Sequence, residues 1–172
     1  MSLPLVTRFG ADPLLDLEIA NKRYVDNSGG GGKTFAAITK SVEQIVNNSS
    51  TFVDDDELFF AATASKVYGF YLVIHLISGG TPDIKTKFTL PSGAVGTISG
   101  AGLQGGTAGA SQDITVSDFH ATNNTNQNLA FVGRIIMDTT AGNCNLQWAQ
   151  NVATASNTKV LAGSYLIVWE IA

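Results

Sequence analysis

The sequence predicts an all-β protein, an antiparallel β-sandwich or jelly roll preceded by a short N-terminal anchoring arm. Three observations predict it. Short runs that alternate apolar and polar residues recur along the chain, each bounded by Gly, Pro, Asp or Asn. No stretch after residue 34 keeps a convincing helical period over about ten residues. The composition is that of a β-protein, with 18 glycines, abundant Thr, Asn and Ser, and only 14% charged residues. About eight to ten strands are expected from this pattern. At 172 residues the chain holds one core domain, whose folding buries roughly 70% of the extended chain's surface.

Residues 1–32 read as an arm and glycine-rich linker, and residues 33–172 as the β-sandwich. Within the arm, Asp12 is a candidate N-cap and Pro13 a suitable first helical residue, so a short helix is expected from Pro13 to about Tyr24. Leu14, Leu17 and Tyr24 share a face of that helix, and Leu5 and Phe9 precede it. These five are the candidate anchoring residues. The arm is too short to fold alone. Ser28 and Gly29–Gly32 form a flexible joint.

The expected strands follow in order. Thr34–Thr39 and Val42–Val46 are short, and Phe35–Val46 also admits a helical reading. Glu57–Ala62 follows an acidic run, Asp54–Asp56, read as a solvated loop. Lys66–Ile77 is long, with Phe70, Leu72, Ile74 and Leu76 on one side and Tyr71, Val73, His75 and Ile77 on the other. Asp83–Leu90 alternates cleanly. Ala94–Ile98 leads into a glycine-rich loop, Ser99–Gly109. Asp113–Phe119, Leu129–Met137 and Cys144–Gln150 come next, and one strand is expected over Lys159–Ile171. In that last strand Tyr165, Ile167, Trp169 and Ile171 oppose Leu166, Val168 and Glu170.

Both sides of the last strand are largely apolar, as are both sides of 67–77. A strand in a free-standing sandwich has one wet face. Two dry faces indicate a sheet covered on one side by its partner sheet and on the other by another copy of the chain. Tyr68, Phe70, Tyr71, Tyr165, Ile167 and Trp169 are therefore expected to divide between the core and an intersubunit contact. The alternative is a monomer whose loops cover the second face.

Several function classes find no support. A net charge of −4 without a basic cluster argues against nucleic acid as a partner. The apolar run Val67–Ile77 is too short to cross a bilayer, so no membrane insertion is expected, and the N-terminus lacks the pattern of a signal peptide. Cys144 stands alone, so no internal disulfide forms. The Asn-x-Ser/Thr triplets at Asn47, Asn48 and Asn123 are expected by chance in an Asn-rich chain. Gly29–Thr34 lacks the leading glycine of a phosphate-binding loop, since Asn27 holds that position. Gly100-Ala-Gly-Leu-Gln-Gly105 matches a dinucleotide spacing, but no βαβ unit surrounds it and a poor helix start follows. Asp54–Glu57 lacks the spacing of a calcium loop. His75 reads as a satisfied histidine in an apolar strand, and His120 near Asp118 lacks a third partner for a triad. No cofactor, metal or enzymatic activity is expected.

Two regions resemble known proteins. Ala20-Asn-Lys-Arg-Tyr-Val-Asp26, after Asp16–Ile19, resembles a stretch that recurs in tailed-bacteriophage fibre and appendage proteins. Glu57–Ala62, Tyr71–Ile74, Lys85–Ala94, Leu146–Gln150 and Lys159–Leu166 resemble a small phage virion domain, of the trimeric jelly-roll type also found in tumour necrosis factor and C1q. The resemblance implies a virion location, a homotrimer and contacts with other virion proteins of capsid or tail, and it brings no catalytic residues. The chain has no shaft, which favours a head fibre or capsid decoration protein over a long tail fibre. A second reading is a receptor-binding tip module of a tail fibre, gripping host-surface glycans through loops 99–110 and 120–128, with Asn123, Asn124, Asn126 and Gln127 as sugar ligands. A third, a nucleotide-dependent enzyme, requires the glycines at 99–106 to precede a helix.

Overall fold

The computed structural model describes residues 35–79, 81–101, 111–116, 118–120 and 126–172. The candidate anchoring residues Leu5, Phe9, Leu14, Leu17 and Tyr24, the expected arm helix, the glycine joint, most of loop 99–110, and Asn123 and Asn124 lie outside these.

The described residues form twelve strands and no helix: β1 (Phe35–Thr39), β2 (Gln44–Val46), β3 (Val53–Ala62), β4 (Val67–Ile77), β5 (Ile84–Thr89), β6 (Val95–Ala101), β7 (Gln112–Asp113), β8 (Asp118–His120), β9 (Asn126–Ile136), β10 (Gly142–Gln150), β11 (Thr158–Val160) and β12 (Tyr165–Glu170). All pairings are antiparallel, and six of them nest. β1 pairs with β12, β2 with β11, β3 with β10, β4 with β9, β5 with β8, and β6 with β7. The described strands form one long hairpin. From β2·β11 inward, its successive pairs fall alternately into two sheets, and a hairpin wrapped this way is a jelly roll. The larger sheet runs β1-β12-β4-β9-β6-β7, with β11 beside β4 and β2 beside β11; the smaller runs β3-β10-β5-β8.

The core lies between the sheets. Tyr68, Phe70, Leu72, Ile74 and Leu76 of β4 face it together with Leu166 and Val168 of β12. Leu58 and Phe60 of β3, Ile84 and Phe88 of β5 and Leu146 and Trp148 of β10 face it from the smaller sheet. Aromatic rings cross the gap, with Phe70 and Phe88 centroids 5.5 Å apart and Phe60 edge-on to Tyr68 at 5.4 Å. Two buried polar groups are satisfied: Tyr68 Oη accepts the Thr63 N–H at 3.0 Å, and Trp148 Nε1 donates to Gln44 Oε1 at 3.4 Å. Cys144 is buried as expected, and burial pushes its thiol up to about 12.

Gly133 makes room for the Phe70 ring. A Cβ there would sit 2.2 Å from that ring and 2.5 Å from the Thr97 carbonyl oxygen. Gly133→Ala is expected to cost about 1–3 kcal/mol by overpacking, read as a lower unfolding midpoint in a thermal melt.

The structure corrects the sequence reading at six places. Phe35–Val46 holds strands, so the helical reading of that stretch falls. β3 begins at Val53 and takes in the acidic run read as a loop. The single strand expected over Asp113–Phe119 is broken after Asp113, whose carboxylate accepts the Thr115 N–H (2.9 Å) and hydroxyl (2.8 Å) and turns the chain. The single strand expected over Lys159–Ile171 is two, β11 and β12. Between them Gly163 adopts φ +87°, and the Ser164 hydroxyl donates to the Leu161 carbonyl at 2.8 Å, which closes a turn. β6 also runs to Ala101, into the segment read as a glycine loop, and Asn126 and Gln127 belong to β9 rather than to a loop.

Candidate functional site

Strand alternation gives the larger sheet a second face, directed away from the core. Register aligns its residues in rows across β1, β12, β4, β9 and β6. One row reads Phe35, Trp169, Gly69, Arg134, Thr97; the next reads Ala37, Ile167, Tyr71, Val132, Ser99. A third begins Thr39, Tyr165, Val73, Ala130. Arg134 is the one charged residue in these rows. Phe35 is 69% exposed and Trp169 39%. Val132 is exposed as well, and Tyr71, Tyr165 and Ile167 are half-buried. The Tyr71 and Tyr165 rings lie tilted with centroids 6.1 Å apart. Trp169 rests over Gly69, where an added Cβ would come within 2.5 Å of its indole. Contiguous apolar surface of this kind marks an interaction site.

The structure thereby sorts the six residues named from sequence. Tyr68 and Phe70 belong to the core. Tyr71, Tyr165, Ile167 and Trp169 come together on the outer face, joined by Phe35 and Val132, which the sequence reading did not single out. Phe35 was hidden by the ambiguity of its segment, and Val132 by lying in a strand whose faces look alike. His75 lies at the margin of this face, half-buried, with Nδ1 2.5 Å from Asn128 Oδ1.

A second constellation, at the opposite sheet, was missed by sequence. Asn145 of β10 faces Phe59 of β3 and Gln147 faces Asp54, so Leu146 alone opposes Asp55, Asp56, Glu57 and Leu58. The strand arches outward as an enlarged bulge. Asp55 replaces the lost ladder bonds. Its buried Oδ1 accepts the N–H groups of Glu57 (3.0 Å) and Leu58 (2.9 Å), and Lys40 Nζ at 2.9 Å. Both side chains of the Lys40–Asp55 pair are almost wholly buried. The Gln44 amide brackets the arch, donating to the Asp54 carbonyl (2.9 Å) and accepting the Asp56 N–H (3.3 Å). Glu57 closes the β1–β2 turn, with its carboxylate accepting the Ser41 hydroxyl (2.5 Å) and the N–H groups of Ser41 (2.8 Å) and Val42 (3.2 Å).

The Ser41 hydroxyl and the Val42 N–H hold the Glu57 carboxyl below its ordinary value of 4.5. A depressed carboxylate contributes stability that is present above the unfolded value and is lost as pH falls through the folded one. Glu57→Gln is therefore expected to lower stability at neutral pH and to weaken the fall in stability below pH 4.5. Urea melts of both proteins across that range check this.

Among the described residues no group of three or more His, Cys, Asp or Glu side chains is placed to hold a metal ion, and no helix is long and apolar enough to cross a membrane. Gly100 lies within strand β6, which ends at Ala101, and the residues after Ala101 that the dinucleotide reading needs as a helix lie outside those described.

No family model matches the sequence, and no curated protein does. Among solved structures, the chain is similar to Eiger TNF from S. frugiperda, with 8% identity over 81% of this chain and 93% of that one and a TM-score of 0.45. It is also similar to the infectious bursal disease virus Gx strain, with 11% identity over 81% of this chain and 40% of that one and a TM-score of 0.28. The VP2 subviral particle of the same virus gives 13% identity over 80% of this chain and 40% of that one, at a TM-score of 0.28. The chain thus spans 40% of the length of these viral chains. Its nested strand order defines the jelly roll independently of these likenesses.

Proposed function

We propose that this chain is a non-enzymatic structural protein of a virion that assembles as a homotrimer through the outer face of its larger sheet. The observation that carries the assembly is the apolar surface running from Phe35 and Trp169 through Ile167 and Tyr71 to Val132 on one side of a sheet whose other side is already the core. The virion assignment draws its support from the resemblance of 20–26 and of the strand segments to tailed-phage proteins. Residues 1–32 are the anchoring arm in this reading, with Leu5, Phe9, Leu14, Leu17 and Tyr24 docking onto a capsid protein, and residues 33–172 are the projecting domain of a head fibre or decoration protein.

The outer face supports a closed ring in particular. Its two edges differ. Phe35 projects at the β1 side, with Trp169 laid over Gly69 beside it. At the β6 side Val95, Gly96, Thr97, Arg134 and Ile136 line a shallow hollow of about 120 Å³. Projection and hollow share the row Phe35–Trp169–Gly69–Arg134–Thr97. The projection of one copy thus meets the hollow of the next at the same height along the strands, and the Arg134 guanidinium comes within reach of the incoming rings. Unlike patches that meet by rotation close into a ring where the rotation completes a full turn without a rise. The number three comes from the resemblance to trimeric jelly rolls.

Light scattering on the full chain and on a version beginning at Lys33 tests the reading. Both are expected to be trimers, the full chain at three times its 18.0 kDa, and only the full chain is expected to bind virions stripped of this protein. A single-chain mass for both removes the assembly. Equal binding by the shortened version removes the anchor.

A further inference from the structure

We propose that the arch in β3 builds a binding site for a neutral sugar unit on the outer face of the smaller sheet. A groove of about 290 Å³ lies there, lined by Asp54, Asp55, Asp56, Phe59, Asn143 and Asn145. It exists because four residues of β3 oppose one of β10, which parts the two strands beside the Phe59–Asn145 pair. Sequence gave no hint of it, since the acidic run and the two asparagines belong to distant segments that only the nested pairing brings together.

The lining selects its ligand by chemistry. Phe59 is an exposed aromatic ring at the edge of the groove, 39% accessible in a strand that otherwise buries its large apolar side chains. Such a ring offers a flat apolar surface to the C–H face of a pyranose. Asn143 and Asn145 supply amide donors and acceptors, and Asp54 and Asp56 supply carboxylate acceptors for hydroxyl groups. Asp54 already holds the Gln147 amide at 2.8 Å, which fixes its position. A second observation comes from beneath. Asp55 also lines the groove, its side chain is wholly buried, and its Oδ2 has no hydrogen-bond partner while Oδ1 has three. That oxygen is closed to solvent, and because a buried carboxylate oxygen without a donor is costly, an opening of the arch that admits a sugar hydroxyl gains a hydrogen bond.

Other ligand classes fit less well. Three aspartates repel phosphate, sulfate and acidic sugars. Among the described residues no three ligating side chains converge to hold a cation. A hydrocarbon ligand would strand the amides and carboxylates. The volume suits one or two sugar rings rather than a larger molecule. The groove lies on the sheet opposite the proposed assembly face, so the inference does not depend on that assembly.

Saturation-transfer NMR on the full chain tests it, with glucose, galactose, mannose and N-acetylglucosamine as neutral probes and N-acetylneuraminic acid and inorganic phosphate as charged ones. At least one neutral sugar is expected to bind in the millimolar range, with transfer strongest at its ring C–H protons. Phe59→Ala and Asn145→Ala are each expected to weaken binding at least tenfold at an unchanged melting temperature. A readout without any variant is the amide shift map, in which the sugar should move Asp54–Phe59 and Asn143–Asn145. The proposal is overturned if no neutral probe binds, if the charged probes bind as well as the neutral ones, or if the shifts lie elsewhere.

Discussion

Ile167→Glu is expected to convert the proposed homotrimer into folded single chains of 18.0 kDa. Ile167 sits in the middle of the outer face, between Ala37 of β1 and Tyr71 of β4. Its side chain points away from the core and is only half-buried in one chain. A carboxylate there stays solvated in the single chain, so the fold keeps its stability to within a fraction of a kcal/mol. In the assembly the same carboxylate faces apolar side chains of another copy without a partner, a placement that costs several kcal/mol per copy. Repeated in every copy of the proposed ring, that cost moves the equilibrium to single chains. Light scattering reads the mass, and circular dichroism reads the retained β-structure. Val168→Glu, one residue on, is the matched control. Val168 is fully buried in the core, so its replacement is expected to abolish folding rather than assembly. An unchanged mass for Ile167→Glu would exclude the outer face as the contact.

That adjacent residues should fail in such different ways shows what the sequence held and what it withheld. Period-2 alternation made the strands legible wherever polar and apolar residues sort cleanly, as in β5, where Ile84, Thr86 and Phe88 are buried and the lysines between them are not. It also separated Tyr165, Ile167 and Trp169 from Leu166 and Val168. It could not say which set was core, because both are apolar. That choice is made by the smaller sheet, whose Phe88, Leu146 and Trp148 sit across from only one of them. Strand ends were less legible. The break between β11 and β12 is written only in Leu161–Ser164, where a single glycine supports the turn. The acidic run was misread because three aspartates in a row signal solvent. Asp55 overrides that signal through a lysine fifteen residues away and through backbone amides that its own bulge exposes. The groove beside Phe59 was illegible for the same reason, since a bulge is a relation between two strands and not a property of either.

The Lys40–Asp55 pair is where the second large effect is expected. Asp55→Ala removes three hydrogen bonds at once. The ammonium of Lys40 is left buried with only the more distant Glu57 carboxylate, 3.9 Å away, and the N–H groups of Glu57 and Leu58 lose their acceptor inside the arch. Stranding a buried charge by deleting its partner costs about 3–5 kcal/mol. Lys40→Met is expected to cost less, about 1.5–3 kcal/mol, because Asp55 keeps both backbone donors and the methionine chain fills the volume of the lysine stem. Lys40 is held from both sides at the backbone as well: its N–H donates to the Ser164 carbonyl at 2.7 Å, and its carbonyl accepts the Gly163 N–H at 2.8 Å. Those bonds survive the substitution, so the turn that connects β1 to β2 stays in place. The double variant should then lose less than the two single losses added together, since with Lys40 gone Asp55→Ala strands no charge. Denaturant melts of the four proteins at one fixed concentration, which keeps any assembly contribution constant, give the coupling directly. If the four proteins show simple additivity, the buried pair is not what closes the arch, and the Gln44 amide with the two backbone donors must hold it unaided.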